Sequence, residues 1–231
     1  MNYRALTFDT GGTVLDWHSG IAKAFALVGE KHGLQRDWHA VTNDYRRAAM
    51  KAIVGQLQPP FNMDDVHRTE LDAVLAQHSL GMLTAQDRAQ IHRAWHGLDA
   101  WPDFPDALTR LKRKYPVVSF TMLPLAMVVA VSRRNGYEWD AVISCEMIGA
   151  YKPEPQAYER TAQWLGLAPD EILMVACHNF DLNAARACGY HTAFVRRAQE
   201  WGPAGPPDPH PHPDCTLVVD DFHALAQRLG A

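Results

Sequence analysis

A doubly wound parallel α/β sheet with a helical cap inserted after its first strand is the fold class that the sequence predicts, on three observations. Short runs that are apolar on both faces recur at residues 5–8, 117–121, 141–144, 172–176, 192–195 and 216–219, and they read as buried parallel strands. Amphipathic stretches with helical spacing alternate with the later runs, at 105–114, 125–135, 155–165 and 182–188. Residues 17–97, between the first run and the second, show helical windows and no strand.

Each element has its own local reason. The first run feeds a tight loop, Asp9-Thr10-Gly11-Gly12-Thr13, whose glycines let backbone N–H groups turn toward an anion. Helical windows at 21–32, 41–55, 63–78 and 85–96 follow, with Gly11-Gly12 and Trp101-Pro102-Asp103 as hinge-like exits. The chain therefore divides into an α/β core of residues 1–16 and 98–231 and a helical cap of residues 17–97. Within the core, Gly136, Gly166 and Gly189 stand where helices should stop. Residues 202–214 hold six of the fifteen prolines and read as an ordered surface loop or a flap. His210 and His212 within it read as solvated side chains, not metal ligands.

Composition narrows the function classes. The 231 residues are 47% hydrophobic and 21% charged, enough apolar material for a sizeable core and too much for a disordered chain. A formal charge of −4 leaves no electrostatic footprint for nucleic acid or an anionic membrane. Cys145, Cys177, Cys188 and Cys215 form no C-x-x-C pair, so the expectation is reduced thiols in the cytoplasm. No apolar run has the length of a signal segment or a membrane span.

In an open parallel sheet the ligand site lies beyond the carboxyl ends of the strands. The first strand delivers Asp9 there, with Thr13 in reach of its carboxylate. On its own, a strand-end aspartate is more often a helix cap than a nucleophile. The second strand ends at Thr121. After the third comes Tyr151-Lys152-Pro153, where Pro153 keeps Lys152 out of helical conformation and in an extended loop. The fourth ends in Ala176-Cys177-His178-Asn179-Phe180-Asp181, which places Asp181 at the start of the next helix.

Taken together, Asp9–Thr13, Thr121, Lys152 and Asp181 resemble the four motifs of the haloacid dehalogenase superfamily, in order and in strand context. The resemblance covers essentially the whole chain. Phosphatases of that superfamily carry a second aspartate two residues after the nucleophile and a magnesium-binding aspartate four residues before the residue matching Asp181. Here those positions are Gly11 and Cys177, neither suited to acid catalysis or to a hard cation. The metal-independent type II 2-haloacid dehalogenases are more similar: Phe8 through Trp17, Tyr151 through Tyr158 and Ala176 through Leu182 each match one of their signatures.

The resemblance implies a metal- and cofactor-free hydrolase of short 2-haloacids or related small carboxylates. Asp9 attacks the halogen-bearing carbon and forms an ester. Arg46, from Tyr45-Arg46-Arg47 on a cap helix, faces the departing halide, with Arg47 as the alternative. Loop amides at Thr10 and Gly11, with Thr121, hold the substrate carboxylate, and Lys152 keeps Asp9 ionised. Asp181 activates the hydrolytic water with help from His178 or Tyr158, and Asn179 joins the substrate site. A homodimer is a further implication. Two departures bear on substrate: Gly11 stands where an aromatic wall is usual, and Met122 where an asparagine usually helps to hold the halide. The remaining readings are a magnesium phosphatase, or a binding module on a decayed scaffold.

Overall fold

The computed structural model describes residues 3–54 and 62–231. Six strands form one fully parallel sheet: β1 (Ala5–Phe8), β2 (Val117–Thr121), β3 (Ala141–Ser144), β4 (Ile172–Ala176), β5 (His191–Val195) and β6 (Leu217–Val219). They lie in the order β3-β2-β1-β4-β5-β6. Strand order reverses between β1 and β4, and the crevice outside that reversal is where a doubly wound sheet leaves room for a ligand. β1, β2 and β4 are buried along their whole length, as continuous apolar runs require. The edge strands differ from the expectation of burial on both faces. Ala141 is exposed in β3 and Val218 in β6, because each strand has a neighbour on one side only.

Helices α1 (Trp17–Lys31), α2 (Trp38–Val54), α3 (Met63–Gln77) and α4 (Ala85–Arg93) fill the connection from β1 to β2, followed by a 3-10 turn at Ala94–Gly97. Asp16 caps α1 by accepting from the Ser19 N–H, and Thr84 with Asp87 forms a reciprocal capping box on α4. The helical window at 85–96 thus ends three residues early, in the tighter turn that carries Trp95. Gly55, the last residue of the window at 41–55, lies outside the described residues. On α2 the buried side chains Val41, Tyr45, Arg46, Ala49 and Ile53 share one face at helical spacing. Tyr45 Oη donates to the His67 carbonyl at 2.8 Å and accepts from the Trp95 indole at 3.2 Å, which ties α2 to α3 and to the 3-10 turn.

The two exits of this helical segment are joined to each other. The Trp101 indole donates to the Gly12 carbonyl at 2.8 Å, the Trp101 N–H to Val14 and the Asp16 N–H to Asp99. The remaining connections are α5 (Phe104–Leu111), α6 (Leu125–Asn135), the short α7 (Cys145–Ile148), α8 (Pro155–Leu165), α9 (Asn179–Ala187) and α10 (Phe222–Arg228). Gly136 and Gly166 end α6 and α8 in left-handed conformation, as their positions require. Helix α9 begins at Asn179, earlier than the hydrophobic spacing suggests, so Asp181 lies in its first turn. Among the described residues, no helix is long and apolar enough to cross a membrane.

One aromatic cluster pins α5 and α10 to the sheet. Phe104 meets Phe8, Tyr137, Trp139 and Phe222 at ring-centroid distances of 6.0, 5.0, 5.3 and 5.1 Å. Phe104→Ala should therefore cost about 3–5 kcal/mol in chemical denaturation. A loss below about 1 kcal/mol would show that this cluster does not organise the core.

Candidate active site

Asp9 leaves the end of β1 and lies at the β1/β4 reversal, nearly buried at 6% exposure. Thr13 joins the two strands: its hydroxyl donates to Asp9 Oδ2 at 2.7 Å and accepts from the Cys177 N–H at 3.1 Å. Arg197 holds the same loop through the Thr13 carbonyl while pairing with Asp103. The side chain of Lys152 has no solvent exposure. Its ammonium donates to Asp181 Oδ2 at 2.7 Å, to the Phe120 carbonyl at 2.8 Å and to Asp9 Oδ1 at 3.3 Å. All three of its protons are thereby used.

These contacts set the protonation states. Burial opposes charge on Asp9, but Lys152, His178 and the Thr13 hydroxyl hold its carboxyl well below the usual carboxylate range. Burial also opposes charge on Lys152, and the carboxylates of Asp181 and Asp9 outweigh it and raise the ammonium. His178 stands between two anions, with Nδ1 3.2 Å from Asp9 Oδ2 and Nε2 2.8 Å from Glu200 Oε1. Burial disfavours its charge, but the Glu200 and Asp9 carboxylates on either side push it well above the ordinary histidine value. Burial keeps the Cys177 thiol protonated.

A cavity of about 330 Å³ opens over Asp9. Arg46, Met50 and Met63 reach it from the helical segment; Gly11, Thr121, Met122, Leu123, His178 and Phe180 reach it from the strand ends. Arg46 is 5% exposed and lies against the rings of Trp17 and Trp95, 5.5 and 5.8 Å from their centroids. Among the described residues its Nη1 is buried without a hydrogen-bond partner. Arg47 also lines the cavity, but it is largely exposed and paired with Asp44. Of the two arginines, Arg46 is the buried one.

Several expectations need correction. The Thr10 hydroxyl is paired with Ser119 at 2.7 Å, which leaves the expectation for its backbone amide untouched, although the residue itself does not line the cavity. The amides of Gly12, Val14 and Leu15 are spent within the loop, which makes the anion cradle narrower than the glycines suggest. Asn179 lines the cavity, as expected, and also anchors the proline-rich loop, donating to the His210 carbonyl and accepting from the His212 N–H. Tyr158 is fully buried behind Asp181, donating to Oδ1 at 2.7 Å, and neither residue lines the cavity. Gly11 lines the cavity, and a Cβ there would lie 3.8 Å from Arg46 and Leu123, an ordinary contact distance. Glu200 escaped sequence reasoning. It is 2% exposed and accepts from His178 and from the Trp17 indole at 3.0 Å, yet in the sequence it is one acidic residue after an apolar run.

The donor set does not fit magnesium. A hard cation takes oxygen ligands, while the two motif positions that would differ in a magnesium enzyme hold Gly11 and Cys177. Cys177, His178 and Glu200 do converge within 4.8 Å. Both the thiol and the imidazolium are held protonated there, which opposes metal binding.

A parallel sheet with its ligand cavity at the strand-order reversal, roofed by helices, defines a Rossmann-like α/β enzyme. Residues 3–189 match the haloacid dehalogenase-like hydrolase family, and the chain belongs to that family. The solved structure of the defluorinating L-2-haloacid dehalogenase Rha0230 is 36% identical, with a TM-score of 0.92 over 100% of this chain and 96% of that one. An (S)-2-haloacid dehalogenase of Pseudomonas sp. (strain YL) is 28% identical over 85% of this chain and 84% of its own. The fructose-1-phosphate phosphatase YqaB of Escherichia coli (strain K12) is 25% identical over 84% and 97%.

Adjacent glycines in the nucleophile loop should respond differently to substitution. Gly12 has φ +88°, and a Cβ there would lie 2.1 Å from Glu200 Oε1 and 3.2 Å from His178. Gly12→Ala should cost about 1–3 kcal/mol of stability. Gly11→Ala should stay within about 0.5 kcal/mol of wild type. Equal unfolding midpoints for the two variants would contradict this placement of Glu200.

Proposed function

We propose that this protein is a metal-independent hydrolytic dehalogenase of short 2-haloacids that works through an ester on Asp9. The observation that carries the reading is Arg46: a buried cation whose Nη1 has no partner among the described residues, lining the same cavity as an ionised aspartate. A buried cation of that kind calls for an anionic ligand. A 2-haloacid supplies two, a carboxylate at once and a halide as the carbon–halogen bond breaks.

In this reading an Asp9 oxygen attacks the halogen-bearing carbon, the bonding pair leaves with the halide toward Arg46, and Asp9 becomes a neutral ester. Thr121 and the Thr10 and Gly11 amides hold the substrate carboxylate. Lys152 keeps Asp9 ionised for attack without any metal. Residues 17–97 act as the cap that brings Arg46 over the site. Met122 and Leu123 give the end of β2 apolar walls, so the substrate's alkyl group packs there and the halide depends on Arg46. Likeness to the dehalogenases extends the reading to a cytoplasmic homodimer.

Halide release from chloroacetate, 2-chloropropionate and fluoroacetate tests the reading. Release should be unaffected by EDTA and abolished in Asp9→Asn. In Arg46→Met it should fall by roughly 100-fold or more, as expected for removing a group that stabilises developing charge. No turnover of any of these acids, or turnover only with added magnesium, would overturn it.

A further inference from the structure

The ester proposed above needs a base to activate its hydrolytic water, and the geometry points to a pair other than the aspartate the motifs suggest. We infer that His178, oriented by Glu200, takes the proton from the water that cleaves the Asp9 ester, and that Asp181 serves only as counter-ion to Lys152. The inference rests on the dehalogenase reading and deepens it.

Asp181 is placed poorly for the task. It is fully buried, one oxygen accepts from Lys152 and the other from Tyr158, and the cavity does not reach it. A general base must reach the proton that it takes directly or through one water, and Asp181 is walled off from the cavity. His178 has that placement. Its ring lines the cavity, and Nδ1 lies 3.2 Å from Asp9 Oδ2, beside the carboxyl group that becomes the ester. Nε2 is tied to Glu200, which fixes the tautomer that leaves Nδ1 facing Asp9. Glu200 is itself held by the Trp17 indole, and it fits against the loop because Gly12 has no Cβ.

The charges make the pair switch on with the chemistry. Before reaction, His178 lies between the Asp9 and Glu200 carboxylates, with the neutral Cys177 thiol 3.4 Å from Nε2 and Arg46 on the far side facing Glu200 and Asp9. Two flanking anions favour the imidazolium, which cannot accept a proton. Ester formation removes the Asp9 charge, and the Nδ1 proton is released through the cavity to solvent.

The free Nδ1 then takes a proton from water as the water oxygen bonds to the Asp9 carboxyl carbon. Collapse breaks the bond from that carbon to the alkyl oxygen, and the departing 2-hydroxyacid takes the proton back from Nδ1. The acid formed on Asp9 passes its own proton to Nδ1 and restores the resting ion pair. Over the cycle, one haloacid and one water give one hydroxyacid, one halide and one proton. Here His178 is a catalytic residue and Glu200 a positioning residue.

The test separates the two half-reactions. Wild type, His178→Asn, Glu200→Gln, Glu200→Asp and Asp181→Asn are mixed rapidly with racemic 2-chloropropionate. Chloride is followed over time, and the quenched protein is weighed by intact-mass spectrometry. His178→Asn and Glu200→Gln should release about one chloride per site in a fast phase, then slow by roughly 100-fold or more. Both should carry one carboxyethyl group on Asp9, and Glu200→Asp should recover part of the turnover. A merely structural role would depress the fast phase and the slow phase together, without a trapped ester. That outcome, or an ester trapped only in Asp181→Asn, overturns the inference while the dehalogenase reading stands. No chloride from wild type overturns both.

Discussion

The ammonium of Lys152, fully enclosed between the carboxylates of Asp9 and Asp181, is the contact on which the rest of the site depends. Two carboxylates this close cannot both stay ionised in a buried crevice without a cation between them. The cation reaches them only because the loop after β3 runs beside β1 and the first turn of α9 delivers Asp181 from β4. Three strands and a helix are thereby bound to one charge. Removing it would leave two buried anions facing each other, a far costlier state than the paired one.

Around that contact the charges balance. Asp9, Asp181 and Glu200 are matched by Lys152, Arg46 and His178, and the six belong to one connected group. Five of them sit on the α/β sheet side. Arg46 comes from α2 and lies against the Trp17 and Trp95 rings; among the described residues its Nη1 has no hydrogen-bond partner, while Glu200 and Asp9 act on its charge from a distance. The helical segment thus contributes both apolar side chains and a cation to the cavity, and α2 is fixed to its neighbours through Tyr45.

The parts of this arrangement that the sequence showed are those dictated by short-range rules. Central strands are continuous apolar runs, Pro153 fixes the loop that bears Lys152, and glycines mark the ends of α6 and α8. Asp9, Thr13 and Lys152 were legible because strand ends and Pro153 place side chains by simple geometry, whereas only the family resemblance favoured Arg46 over Arg47. What stayed hidden depends on partners distant in sequence. The Ser119 partner of the Thr10 hydroxyl and the 210–212 backbone that Asn179 anchors while it lines the cavity are both remote in sequence. Glu200 gives no local pattern, since it acquires meaning only where β5 returns beside Gly12 and His178. Exposure at Ala141 and Val218 was hidden for a related reason: edge position follows from strand order, which apolar runs do not encode.

The account stands most directly on the ester at Asp9, and isotope labelling tests it. Enzyme in excess over 2-chloropropionate is allowed a single turnover in water enriched in oxygen-18. The account predicts that the label enters the Asp9 carboxylate, found in the peptide containing Asp9, while the hydroxyacid released carries the oxygen that Asp9 originally held. Label appearing directly in the hydroxyacid, with Asp9 unlabelled, would show that water attacks the substrate itself and would contradict the account.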